Sequence, residues 1–198
     1  MTDVGTARLV EQLGSPDTNE RALALAGLVR LGRAASPALR GALEDGPEHV
    51  RAQAAQALAE IADPATADEL AVHTRDGNPD VRAHAALGLA RVRDRRATDA
   101  LVRTIDDLPD IEHHPYSLSV YGLIDLGLPA LPSVVPLLSA VHATTRQRAF
   151  EVVRATVTAT GWDWPALWTS LGRYDPDTEP AEREAAAAQW ATWCRTNC

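Results

Sequence analysis

Lysine is absent from this 198-residue sequence, so all 19 of its cationic Lys/Arg side chains are arginine. That bias points to a GC-rich, bacterial genome rather than to a fold. Aromatics are scarce at 5%, with a single phenylalanine, while alanine abounds. Small side chains favour close helix-on-helix packing over sheets. Cysteine is limited to Cys194 and Cys198, which excludes a disulfide scaffold and leaves a thiol metal site short of ligands. The pair sits at the extreme terminus, where reduced thiols without a role are the simplest reading.

Positive charge is in deficit. The net charge of −8 weighs against nucleic acid as a partner, because phosphate binding needs cations to displace counterions. No apolar run approaches the roughly 20 residues of a membrane span. The start Met1-Thr2-Asp3-Val4 lacks the basic and apolar regions of a signal peptide. These absences predict a soluble, cytoplasmic protein that does not engage a membrane. Gly-rich phosphate loops, nucleophile elbows and metalloprotease motifs are also missing. No catalytic residue, metal or cofactor is therefore expected, and an enzyme is disfavoured.

What the sequence has is internal repetition. Glu48-His49-Val50-Arg51-Ala52-Gln53-Ala54-Ala55 aligns with Pro79-Asp80-Val81-Arg82-Ala83-His84-Ala85-Ala86, a spacing of 31 residues between Val50 and Val81. Upstream, Arg21 is followed by Ala24, Leu25 and Leu28. Downstream, Tyr116 takes the arginine position before Ser119, Val120 and Leu123, and Arg146 leads Ala149, Phe150 and Val153. Each unit reads as two helices. Ser36-Pro37 offers a start to a helix over 37–44, Asp45-Gly46-Pro47 breaks it, and a second helix runs over 48–62. Asp63-Pro64 and Asn78-Pro79 open the next two. Val50, Ala54, Ala57, Leu58 and Ile61 share one face of the second helix, a stripe that stacked neighbours would bury.

The Asp/Pro turn, Val-Arg, Ala-Ala and Asp63-Pro64-Ala65-Thr66 resemble the HEAT-repeat family, in the short form seen in bilin-lyase-like proteins. The resemblance spans roughly residues 6–160. It implies an all-α, right-handed α-α superhelix of about five helix pairs, whose second helices line a concave, partner-binding face. It also implies a ladder of helix arginines, filled here by Arg21, Arg51, Arg82 and Arg146 and interrupted at Tyr116.

Residues 161–198 depart from the pattern as a helical cap within the same domain. All five tryptophans lie there, with helix candidates over 165–171 and 180–196. Glu182-Arg183 followed by Trp190-Ala191-Thr192-Trp193 resembles the tail of many bacterial HEAT-repeat proteins. Indoles suit the covering of a solenoid's last apolar face, with an aromatic ligand cage as the alternative.

The fourth unit holds the longest interruption, from Leu108 to Pro115. Its Asp106, Asp107, Asp110, Glu112, His113 and His114 are acidic and imidazole side chains, but neighbours in sequence cannot generally aim at one point. The HEAT-repeat deoxyhypusine hydroxylases hold di-iron with His-Glu dipeptides. This chain has only the reversed Glu112-His113, so no metal is expected.

Opposite the buried stripe, the second helices offer Gln53, Gln56 and Glu60, then His84, Leu87 and Arg91. The same positions give Leu118, Tyr121 and Asp125, then Arg148 and Glu151, with His113 and His114 on the adjoining loop. An apolar-aromatic centre at Leu87, Leu118 and Tyr121 with a charged rim has the anatomy of a binding hot spot. The leading reading is a non-catalytic scaffold or adaptor binding another protein or peptide there. Two alternatives remain. One is a bilin-lyase-like enzyme or tetrapyrrole chaperone using His84, Tyr121 and Asp125. The other is a HEAT-like DNA glycosylase with Glu60, Asp125 and Glu151 in the groove, disfavoured by the charge.

Overall fold

The computed structural model describes residues 3–198, which form two compact units, one ending at Ala100 and the other Leu101–Cys198. The fold is all-α. Among the described residues the nearest approach to a sheet is an isolated bridge between Pro109 and Ser117.

The first unit contains α1 (Asp3–Gln12), α2 (Thr18–Leu31), α3 (Ser36–Asp45), α4 (Glu48–Ile61), α5 (Ala67–His73) and α6 (Pro79–Arg91). Short side chains start α2 and α6, whereas α4 follows Pro47 with no side-chain cap. Asp17 accepts from the Asn19 N–H at 2.8 Å, and Asn78 accepts from Asp80 and Val81 at 2.7 and 3.3 Å. These bonds satisfy amides that a helix N-terminus leaves unpaired. Ser36, by contrast, caps nothing: a 3-10 turn over Gly32–Ala35 runs directly into α3. The proline at Pro37 still sits in the first turn, where its missing N–H costs no hydrogen bond.

Helix α4 lies between α2 and α6, with α3 beneath it. Its buried face differs from the expected stripe: Ala52, Ala55 and Ala59 are enclosed along with Val50, Ala54, Ala57 and Leu58, while Ile61 at its end is only half-buried. Alanine permits this because two helices can approach it closely. The approach is tightest at Gly88 of α6, where an added Cβ would stand 2.9 Å from Leu70 Cδ1 and 3.3 Å from the Ala59 Cα.

The helical stretch Thr18–Asp45 contains a window of mean hydropathy 1.2, apolar enough by length and composition to span a membrane. Reading apolar runs alone passes over this. Gly32, at φ 61°, divides the stretch, and Leu28, Leu39 and Leu43 are fully buried in the unit. Core helices of repeat proteins satisfy the same compositional test.

The boundary between units falls within α7 (Ala97–Arg103). The second unit continues with α8 (Leu118–Leu126), α9 (Leu131–Val134), α10 (Ala143–Ala159), α11 (Trp164–Ser170) and α12 (Pro180–Asn197). Three-residue and five-residue 3-10 turns flank α9. Helices α10 and α12 both pack on this short layer. Tyr174 seals it: its hydroxyl donates to the Leu138 carbonyl at 2.6 Å, and burial pushes its pKa up to about 12.

The tryptophans close the end of this unit. Trp190 is fully buried, stacked on Trp164 with centroids 5.6 Å apart and edge-on to Trp193 at 5.7 Å. Trp164 in turn meets Phe150 of α10. A buried indole bridging two helix pairs covers an apolar face that would otherwise be wet.

The repeat arginines act as hooks. Arg21 donates to the Ser15 and Pro16 carbonyls, Arg82 to Asp76 and Gly77, and Arg146 to Ala140 and Val141. Each thus reaches five or six residues back, to the loop preceding its own helix. Arg51 does the same to Gly46 and also makes a two-pronged bond to Asp76, at 3.0 and 2.9 Å. That guanidinium holds the Asp76 carboxyl down at about 2.

Arg183 of α12 donates to Thr178 in the same way, 2.8 Å away. Ala186, Ala187 and Trp190 follow it at the spacing of Ala54, Ala55 and Leu58, and all three are buried. The terminal helix pair is therefore a sixth copy of the repeat, with tryptophan in the leucine position.

Candidate partner-binding surfaces

In the first unit, adjacent α2, α4 and α6 present three matching rows. Leu23, Gln53 and His84 form one, Ala26, Gln56 and Leu87 the next, and Arg30, Glu60 and Arg91 the third. The structure brings together all six residues expected here, and adds Leu23, which is 74% exposed. Subtracting one repeat from Gln53 would have found it.

The rows are braced internally. Gln56 donates to Glu60 at 3.1 Å, and Arg91 reaches across to the Ala59 carbonyl at 3.1 Å. His84 Nδ1 lies 2.8 Å from the Asp80 carbonyl oxygen, and burial lowers its pKa. The ring is therefore neutral near pH 7. Beside these rows a cleft of about 610 Å³ is lined by Arg21, Glu48, His49, Gln53 and Asp80 among others.

In the second unit the chain between α7 and α8 folds back as an ordered loop. Ser117 Oγ donates to the Ile105 carbonyl, and the Asp110 N–H donates to the Tyr116 carbonyl at 2.9 Å. Asp110 is the hub. Its carboxylate accepts from the backbone of Glu112 and His113, and from the Tyr121 hydroxyl at 3.1 Å. His113 Nδ1 stands 3.0 Å from Asp110 Oδ2, the oxygen that also accepts from Tyr121. Burial alone would raise the Asp110 pKa, but the bonds from His113 and Tyr121 outweigh it and lower the value.

Tyr121 remains 44% exposed, its ring stacked on Tyr116 with centroids 4.9 Å apart. The Tyr116 hydroxyl donates to Glu151 at 2.5 Å, a bond that raises the phenol's pKa. In the arginine position, tyrosine thus points to the following helix instead of hooking its own loop. Leu118 is half-buried, while Asp125, His113 and His114 are exposed.

Two expected surface residues prove to be interior. Arg148 is 4% exposed, donating to Asp106 at 2.5 Å and to the Pro115 carbonyl at 3.1 Å. Glu151 is 8% exposed and takes bonds from Tyr116 and Arg154. The folded loop covers this part of α10, so both side chains fasten the loop rather than face a partner. Helical spacing cannot show that a distant loop will lie on a given face. Asp110 was legible only as one acidic residue among several, although an Asp followed by amides two and three residues on is a local turn signal. Among the described residues no three His, Cys, Asp or Glu side chains are grouped to hold a metal.

Comparison with known proteins places these elements. The family model for HEAT repeats matches residues 6–76. The complex of CpcE and CpcF of phycocyanin lyase from Nostoc sp. PCC7120 is 22% identical, with a TM-score of 0.52, covering 90% of this chain and 73% of that one. An engineered protein is 17% identical at a TM-score of 0.47, over 99% and 98% of the two chains. A designed armadillo repeat protein in complex with the peptide (KR)4 is 18% identical at 0.45, over 96% and 98%. A search of curated proteins finds no match. Residues 6–76 thus resemble HEAT repeats, within a chain whose fold is an all-α helical repeat.

Proposed function

We propose that this chain is a non-catalytic scaffold that holds a protein or peptide partner on the exposed side of its second helices. The observation that carries this reading is Tyr121. It presents an aromatic ring to solvent, yet stacking on Tyr116 and the bond to Asp110 fix its position. A tyrosine already immobilised loses little side-chain entropy when a partner covers it, which suits an interface anchor. Leu23 and Leu87 offer apolar contacts on the first unit, with Glu60 and Arg91 as polar rim.

The experiment is capture from the source cells with wild-type protein and with Tyr121→Asp. The variant sets a second carboxylate against Asp110 and breaks the stack. Loss of a captured protein with helicity and melting near wild type supports the reading; equal capture by both proteins contradicts it. A tetrapyrrole chaperone or lyase is the second reading, suggested by the fold shared with the CpcE and CpcF complex. An absorbance shift on mixing with a bilin separates it from an adaptor.

A further inference from the structure

Resting on the scaffold reading, we infer that the Tyr121 surface takes an arginine side chain from a basic segment of the partner. The first support is the charge distribution. Residues 104–145 contain five carboxylates and no arginine or lysine. The cations that α10 brings beside them are occupied, since Arg148 pairs with Asp106 and Arg154 with Glu151. Beside Tyr121 the loop sets two carboxylates, Asp110 bonded to its hydroxyl and the exposed Glu112, against the imidazole of His113, which leaves that surface net negative.

The second support is the ring itself. One face of Tyr121 is turned to Tyr116, and the residue's remaining 44% exposure leaves aromatic surface for a ligand. The hydroxyl donates to Asp110, which leaves the phenol electron-rich. A guanidinium is planar, so it can lie flat on such a ring while its edge N–H groups point to a nearby carboxylate. An ammonium supplies charge without that flat contact. The chemistry consequently selects arginine over lysine, and either over an acidic or neutral side chain. Ile111, 90% exposed one residue beyond Asp110, offers an apolar contact to flanking residues.

The test is fluorescence polarisation with a labelled (Gly-Arg)4 peptide, alongside (Gly-Lys)4 and (Gly-citrulline)4, at low and moderate salt. Wild type is expected to bind the arginine peptide most tightly, and more weakly as salt rises. Tyr121→Leu and Glu112→Gln should each weaken it about three- to tenfold, the loss of one cation–π or charged contact. Tyr121→Phe keeps the ring and should stay within about twofold of wild type. Glu44→Gln, a change of equal charge on the first unit, should leave binding unaltered. Equal binding by wild type, Tyr121→Leu and Glu112→Gln overturns the inference, as does no preference over the citrulline peptide. If partner capture is still lost in Tyr121→Asp in that case, the scaffold reading stands without the arginine; if capture also persists, both fall.

Discussion

Arg183 donates a hydrogen bond to the carbonyl of Thr178, five residues back, as Arg51 does to Gly46. The identity of the two contacts makes the tryptophan-rich end a further repeat and the arginines a structural device. Such a guanidinium ties its own helix to the loop that precedes it. The fourth pair lacks the hook, and there tyrosine and a longer loop take its place.

Arg146 is the most enclosed of these hooks, 9% exposed, with a third bond to the Pro176 carbonyl. Arg146→Ala leaves three carbonyls without their donor and should cost about 2–4 kcal/mol. Arg146→Lys should recover only part of that, because an ammonium cannot span the three carbonyls. Chemical denaturation checks both, and full recovery by lysine would argue against the hook geometry.

The Arg51–Asp76 pair makes stability depend on acid. The carboxyl has a folded value of about 2, below its unfolded value, so the contribution is present above pH 4 and lost as pH falls toward 2. By linkage it amounts to about 2 kcal/mol. Asp76→Asn should remove most of it at pH 7 and flatten the stability profile between pH 4 and pH 2. Denaturation midpoints across that range decide the matter.

Gly88 tests the closeness of α6 to its neighbours. Gly88→Val must displace Leu70 and push on the Ala59 backbone, which should cost about 2–3 kcal/mol through overpacking. Thermal melting reads it, and an unchanged midpoint would mean that the helices are more loosely packed than described.

Trp190 is the keystone of the terminal pair. Trp190→Ala should destabilise the second unit by about 3–5 kcal/mol. Its stacked and edge-on contacts with Trp164 and Trp193 should also disappear from near-ultraviolet circular dichroism.

The repeat was legible because it is written in residues that perform local tasks. Val50-Arg51 and Val81-Arg82 each combine a buried valine with a hook, and Asn78 and Asp63 open helices by their own side chains. The sixth copy is masked in the sequence because Trp190 stands where most other copies carry leucine, and an indole there suits capping as well as it suits the repeat. Arg148 and Glu151 are interior for a different reason. Their helical face is right, but the loop over residues 104–117 comes down upon it, held by Arg148–Asp106 and Tyr116–Glu151 contacts 42 and 35 residues apart in sequence. Such contacts leave no periodic trace.

Site-specific photo-crosslinking at Tyr121 reads partner contact at the exposed ring itself. A benzophenone amino acid placed at Tyr121 is compared in source cells with one at Val72, a 70% exposed residue on the first helix of its pair. A discrete protein adduct is expected from position 121 and none from position 72. An adduct from position 72 alone, or none from position 121, would contradict partner binding at Tyr121.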